Sequence, residues 1–369
     1  MKLVLATELF YPYLYGGGER RLWEVARRLA KEVDVTVVTS GLGLQPREEV
    51  IQGVKVKRIS KLTVKKLPER SLSGSFEFFF KTAPAILSEK PDVIDVNTYS
   101  PVLPSFIASV VAGKPIVATI HDVYEKWTTV FQSKTQAILG KITELYTTRL
   151  PYTAIVTPSS GVREKLIKHG AHPSRIHVIP NGIDLKLIDS VKADKKEGQI
   201  ACVGRLVPHK RLQDLILALS KLKHLNLTLA VAGEGIMLKP WRKLAEKLEV
   251  KARWLGYIPY KQVIKLMKES ELLVHPSIHE GQGIAILEAM ACRTPVIAAE
   301  STGARELLKE AGYIVPKRSP KALAQAILEL HENPEKRRKI AEKARRKAEK
   351  YTWDRIAEKQ LKLYRTLAA

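Results

Sequence analysis

Short apolar runs alternate with amphipathic stretches along the first half of the chain. Runs at residues 3–7, 33–39, 54–59, 93–96, 116–120, 154–157 and 177–179 are brief and rich in Val, Ile and Ala. Strands of a parallel sheet covered on both faces read this way. Between the first two, residues 19–31 place Leu22, Val25, Ala26 and Leu29 at helical spacing. The rhythm restarts with a strand at 199–203, a helix at 212–222, a strand at 227–232 and a helix at 240–248. It continues with a strand at 252–255, helix 260–268, strand 272–275, helix 283–291 and strand 295–298. Residues 351–367 form a last amphipathic helix carrying Trp353, Ile356, Leu361 and Tyr364. The pattern predicts an α/β protein of two Rossmann-like doubly wound domains facing each other across a cleft.

Pro180-Asn181-Gly182 is a turn signal, and residues 190–198 are polar and lysine-rich, as a linker is. The domains are therefore expected at residues 1–185 and 186–351. A chain of 369 residues suits two cores of roughly 150 to 200 residues each. Only two cysteines occur, Cys202 and Cys292, and neither joins a CxxC or Cys/His cluster. A disulfide framework and a structural zinc site are thus unsupported, and a reducing cytoplasm fits. No signal peptide is expected, because the chain runs from Met1-Lys2 straight into a strand. The longest apolar stretch, 101–112, carries two prolines and is too short to span a bilayer. The net charge of +24 favours an anionic partner: nucleic acid, a membrane surface or a phosphorylated substrate. Much of it lies in stretches such as 334–350, where Glu335, Glu342 and Glu349 alternate with Lys and Arg, as on a solvated helix face.

Open parallel sheets bind ligands beyond the carboxyl ends of their strands, so the loops after strands are the places to look. The first is Val203-Gly204-Arg205-Leu206-Val207-Pro208-His209-Lys210. Its Arg fork and Lys point charge suit a diphosphate, and both stabilise charge building on a leaving group. The second is Pro276-Ser277-Ile278-His279-Glu280-Gly281-Gln282-Gly283, leading into a helix that contains Glu288. A carboxylate in an otherwise apolar helix needs a partner, and sugar or ribose hydroxyls are good ones. Gly283 lets the backbone approach a ligand, and the helix start can face a phosphate. Ala232-Gly233-Glu234-Gly235 is a third, weaker signal. In the first half, Gly16-Gly17-Gly18-Glu19 precedes a helix, and Ile120-His121-Asp122 ends a strand that aims His121 at the same cleft. A structural histidine is an equal reading of His121.

Together these residues resemble the group 1 (GT4-type) retaining glycosyltransferases of the two-domain GT-B fold. The resemblance spans nearly the whole chain, from Gly16–Glu19 through Thr119-Ile120-His121-Asp122 and Val178-Ile179-Pro180-Asn181-Gly182-Ile183-Asp184. It continues over Val203-Gly204-Arg205-Leu206, Lys210, Glu280 and Glu288 with seven residues between them, Glu288-Ala289-Met290-Ala291 and Pro295-Val296-Ile297. It implies that Arg205 and Lys210 contact the diphosphate of a nucleotide-sugar donor, Glu280 the transferred sugar and Glu288 the ribose. Gly17 and Gly18 would close over the donor, and His121 would sit near the transferred sugar and the acceptor. The amides of Gly283 and Ile284 would complete the sugar and phosphate contacts, and helix 352–369 would cross back onto the first domain. The implied catalytic set is His121, Arg205, Lys210 and Glu280. Gln282 stands where the family usually has an apolar or aromatic residue, and Arg293 where glycine is common.

The expected activity is retaining hexosyl transfer to a hydroxyl acceptor by a front-face route, with domain closure excluding water. No cofactor is expected, because the nucleotide-sugar is a substrate, and UDP-, GDP- and ADP-sugars stay open. No metal is expected either, because no DxD-type acidic cluster adjoins the diphosphate loop. The acceptor is a glycan, a lipid-linked molecule or a small molecule. Residues 61–70 are basic and are followed by Phe76, Phe78, Phe79 and Phe80. They read equally as an interfacial element at the inner membrane face and as a core helix after a polar loop. A nucleic-acid-binding protein is disfavoured because no RRM, helix-turn-helix, KH or zinc signature appears. A non-catalytic sugar-nucleotide-binding module is disfavoured because the donor motifs are intact.

Overall fold

The computed structural model describes residues 1–42, 45–62, 72–97, 100–124 and 134–369, which fall into two compact units. The first gathers the described chain up to Asn181 together with Trp353–Ala369, and the second is Gly182–Thr352.

The first unit contains strands β1 (Lys2–Ala6), β2 (Asp34–Leu42), β3 (Glu48–Ile51), β4 (Val54–Leu62), β5 (Val93–Asn97), β6 (Ile116–Thr119), β7 (Ala154–Thr157) and β8 (Ile176–Val178). Its helices are α1 (Gly17–Leu29), α2 (Leu72–Ser88), α3 (Val102–Ala112), α4 (Lys134–Arg149) and α5 (Ser160–Lys168). The sheet order is β3-β4-β2-β1-β5-β6-β7-β8, parallel except where β3 pairs antiparallel with β4. The apolar pattern does not anticipate β3. Its Glu48 and Glu49 sit on an edge strand with one polar, partly exposed side, where charge discourages further pairing. The connection from β1 to β2 runs one way along the sheet, and those from β4 through to β8 run the other. Right-handed crossovers therefore put α1 on one face and α2, α3, α4 and α5 on the opposite face. The direction reverses between β1 and β5.

On α1, Leu22, Val25, Ala26 and Leu29 are all buried, as their spacing predicts. Each of the larger three contributes roughly 1.5 to 3 kcal/mol by leaving water.

The second unit contains β9 (Lys196–Val203), β10 (Thr228–Ala232), β11 (Ala252–Trp254), β12 (Ser270–His275), β13 (Val296–Ala299) and β14 (Tyr313–Val315). The order β11-β10-β9-β12-β13-β14 is all parallel and doubly wound, with its reversal between β9 and β12. Its helices are α6 (Leu185–Ser190), α7 (Leu212–Leu219), α8 (Leu238–Lys247), α9 (Tyr260–Glu269), α10 (Ile284–Ala291), α11 (Thr302–Leu308), α12 (Pro320–Glu332) and α13 (Pro334–Ala348). Alternation along the strands feeds two cores. Ala230, Leu273 and Ala298 pack with Met290 on one side, and Leu229, Val274 and Ile297 pack with Trp241 on the other.

On α13 the solvated-face expectation needs one correction. Arg345 is buried, donates to both carboxylate oxygens of Asp189 at 2.7 and 2.8 Å, and caps the Ala291 carbonyl at 2.8 Å. A final helix, α14 (Trp353–Ala368), belongs to the first unit, with Trp353, Ile356, Leu361 and Tyr364 buried. Buried Arg21 of α1 explains part of its hold. Its guanidinium donates to the carbonyls of Ile179 (2.9 Å) and Pro180 (2.6 Å) and to Gln360 Oε1 (3.0 Å) on α14. Gln360 and Tyr364 in turn donate to Asp95 of β5.

Among the described residues no helix is long and apolar enough to cross a membrane. Residues 63–70 of the basic stretch lie outside the described residues.

Candidate functional site

In the second unit the reversal between β9 and β12 brings two strand ends side by side, and their loops carry the charges. β9 runs into Gly204 and Arg205, and β12 ends at His275. The Glu280 carboxylate is ion-paired with Lys210 Nζ, and its Oε1 lies 2.7 Å from His275 Nε2. Two hydrogen bonds stitch the loops together, because the His209 carbonyl accepts from the Ile278 amide at 3.0 Å and Ser277 Oγ at 3.4 Å. The first loop is also seated on the Ala232–Gly235 turn. Gly204 N donates to Ala232 O (3.0 Å), Leu206 N to Glu234 O (2.7 Å) and Met237 N to Leu206 O (2.9 Å). A turn that is weak as a sequence signal is thus the platform for the Arg205 loop, on which Arg205 stays exposed.

The start of α11 fixes Glu280 from the other side. Its backbone carbonyl accepts from the Gly303 amide at 3.0 Å and Thr302 Oγ1 at 2.7 Å. Only glycine fits at 303, because a Cβ there would lie 2.3 Å from the Gln282 carbonyl oxygen. Gln282 is itself buried.

Burial pushes the Glu280 carboxyl up, but the charge of Lys210 and the hydrogen-bonded His275 outweigh it and hold the group well below the usual carboxylate range. Glu280 is therefore an anion at neutral pH and an acceptor of hydrogen bonds. The neighbouring His209 is depressed to about 3, first by burial and then by Lys210, with Arg205 and His279 adding to it and Glu280 opposing. The Arg205 charge thus acts on the same cluster. Gly283 (φ 85°) is the N-cap of α10, and Ile284 begins the helix. Glu288, one turn further on the same face, is buried, and its charge joins burial in pushing the Cys292 thiol up to about 12.

In the first unit the reversal between β1 and β5 gathers the other predicted residues. Gly16 caps α1, so Gly17 and Gly18 occupy its first turn, whose amides no preceding turn engages. His121, after β6, lies with its Nε2 2.6 Å from Asn97 Oδ1, and Asn97 Nδ2 donates to the Gly18 carbonyl at 3.3 Å. With the amide nitrogen committed to Gly18, Asn97 accepts from His121, which puts the proton on Nε2 and the lone pair on Nδ1. Burial, followed by the charge of Arg21, depresses His121 to about 3, so the ring is neutral. Asp122 is tied to Lys165 Nζ at 2.8 Å.

The structure thus brings Lys210 and Glu280 together directly and sets Arg205, Gly283, Ile284 and Glu288 on the same two loops and helix. It joins Gly18 to His121 through Asn97. His275, Asn97, Thr302 and Gly303 escaped the sequence reading; the signal for the first two is their position as the last residue of a strand beside a reversal point. Among the described residues no group of three His, Cys, Asp or Glu comes together to hold a metal ion.

Residues 15–187 match the model of Glycosyltransferase Family 4, and residues 185–347 match that of Glycosyl transferases group 1. Over 99% of its length the chain is 27% identical to an uncharacterized glycosyltransferase of Methanocaldococcus jannaschii, of which it covers 98%. It is 24% identical to the alpha-maltose-1-phosphate synthase of Mycolicibacterium smegmatis across the full length of both. The crystal structure of Anabaena HepE in complex with UDP-glucose superposes over the whole of both chains with a TM-score of 0.80 at 21% identity. With the two models meeting end to end over two doubly wound sheets, the chain belongs to the group 1, family 4 glycosyltransferases and has the GT-B fold.

Proposed function

We propose that this glycosyltransferase is a retaining enzyme that moves a hexosyl-type sugar from a nucleoside diphosphate sugar to a hydroxyl by a front-face route without a metal. The observation that carries the reading is the Lys210–Glu280–His275 cluster, built where β9 and β12 end and next to the start of α10. HepE, a structure of like fold, holds UDP-glucose, which supports a nucleotide-sugar as the donor here.

Lys210 carries three N–H donors, so it holds Glu280 and still reaches a phosphate oxygen. With Arg205 it stabilises the charge that develops on the departing diphosphate, the part a general acid plays in a glycosidase. Glu280, kept ionised, accepts from hydroxyls of the transferred sugar, and Glu288 accepts from the ribose diol. The amides of Gly283 and Ile284 meet sugar and phosphate. In the first unit, Gly17 and Gly18 offer first-turn amides to the donor, and neutral His121 presents Nδ1 as an acceptor toward the reacting hydroxyls. The bond from the anomeric carbon to the phosphate oxygen breaks while the bond to the acceptor oxygen forms on the same face. The acceptor proton passes to the departing phosphate oxygen.

The acceptor in this reading is lipid-linked and met at the cytoplasmic face of an anionic membrane. The test follows the anomeric proton of the product by NMR with EDTA present. A retained configuration at an undiminished rate is expected, and an inverted product or loss of activity to the chelator overturns the mechanism. Thermal stabilisation by UDP-, GDP- or ADP-sugars identifies the donor, because a ligand that binds only the folded chain raises its stability by mass action.

A further inference from the structure

Three helices on one face of the first unit leave large apolar side chains in water. On α3 the buried side carries Val102 and Pro104 and then only the small residues Ser105, Ala108 and Ser109, while Leu103, Ile107, Val110 and Val111 are exposed, the last two by 66% and 67%. On α4 the buried side carries Ala137, Glu144 and Thr148, and Ile138, Leu139, Ile142 and Leu145 point to solvent. On α2, Phe76 and Phe80 are exposed one turn apart. Buried polar groups fix this orientation. Ser109 Oγ donates to the Lys114 carbonyl at 2.6 Å, beyond the end of α3, and Glu144 of α4 accepts from the Tyr124 amide at 2.7 Å. Rolling either helix to hide its aliphatic stripe would part its pair and leave buried polar groups unsatisfied.

We infer that this face of α2, α3 and α4 is an interfacial docking surface for an anionic lipid bilayer. Single exposed apolar side chains are ordinary, but stripes on three helices that right-handed crossovers place on one side of one sheet are not. The stripes are aliphatic and aromatic, with half-exposed Tyr146 of α4 beside them. The exposed charged residues on the same helices and just past their ends are mainly basic, Lys81, Lys90, Lys114, Lys141 and Arg149 against Glu77, which is paired with Lys81; Glu89 and Glu144 are buried. At a net charge of +24 two copies of the chain repel one another, whereas an anionic headgroup layer attracts the same surface. Aliphatic side chains entering the headgroup boundary beneath a basic rim is how an interfacial helix binds.

The inference deepens the reading of a lipid-linked acceptor. Because vesicle binding requires neither donor nor turnover, its failure is distinct from a failure of glycosyl transfer. The experiment sediments the full chain with vesicles of equimolar phosphatidylglycerol and phosphatidylcholine, and with phosphatidylcholine alone. Pelleting with the anionic vesicles is expected, weakened by salt, and V110D/V111D and I138D/I142D should each lower the partition coefficient by about tenfold or more. The variant sites are already exposed, so circular dichroism and the melting temperature should match the wild type, and a K57A control on the sheet should pellet normally. Wild-type chain left in the supernatant, or folded variants that pellet as well as the wild type, would overturn the inference. So would a wild-type dimer, by light scattering, that the same variants split into monomers, because a second copy would then cover the face.

Discussion

Lys210 acts on two groups at once in the proposed reaction, neutralising Glu280 and meeting the diphosphate, and the two roles separate experimentally. K210A should lower kcat/KM by at least about a hundredfold, in line with loss of one preorganised charge at a developing anion. E280Q keeps the shape and one acceptor but removes the charge, and it should cost a similar factor while leaving binding of the free nucleoside diphosphate nearly unchanged. Steady-state kinetics beside calorimetric titration with the diphosphate distinguish them; near-normal turnover in either variant removes that residue from the site. Both residues were legible in the sequence because a Lys and a Glu in short loops after apolar strands are out of place unless something uses them. His275 and Asn97 were not. Each is the last residue of a buried strand, where a polar side chain satisfied by its neighbours looks the same in one dimension. Arg293 shows the reverse: glycine is common at this position in the family, and Arg293 indeed adopts a left-handed backbone (φ 54°), its guanidinium resting 3.1 Å from Glu342. The positional signal was real, and its cause is backbone conformation.

Among the elements, α11 has no recognised chemistry in the sequence, yet its first turn positions the Glu280 loop through Thr302 and Gly303. G303A tests this, because position 303 has no left-handed backbone and the whole effect comes from the Cβ pressing on the Gln282 carbonyl. The loop must move, at about 1 to 3 kcal/mol of stability as for an overpacked site, and kcat should fall more than the melting temperature implies. Activity that follows stability alone would mean that the loop tolerates the shift. Strands and helices on the sheet faces were readable from period and length. The pairing of β3 with β4 and the docking of α14 by Arg21 were not, because a four-residue edge strand has no apolar face to announce it and a buried guanidinium reads in sequence as a surface charge. The facing of α3 and α4 was not readable for a related reason: apolar periodicity says that a helix has a stripe, and only the packed structure says which way the stripe faces.

At the scale of the whole molecule, pH links the site to stability, and His209 gives the sign. Buried beside Lys210, it is depressed to about 3 in the folded chain, from an ordinary value of 6.5. Above pH 6.5 both folded and unfolded chains hold it neutral, and its contribution is level. As the pH falls below 6.5 the unfolded chain takes up a proton that the folded chain refuses until about pH 3. Stability is therefore lost across that window at up to about 1.4 kcal/mol per pH unit. His121 adds a loss of the same sign. Asp95 opposes them, because burial raises it to about 6 and the folded chain then binds its proton more readily than the unfolded chain does. Comparing H209Q with the wild type cancels His121, Asp95 and every surface group. Urea unfolding at pH 7.5, 6 and 5 should show the variant losing about 2 kcal/mol less than the wild type between pH 7.5 and 5. Parallel pH profiles would mean that the imidazole gains a proton in the folded state, and that burial and the charges of Lys210 and Arg205 depress it less than the geometry implies.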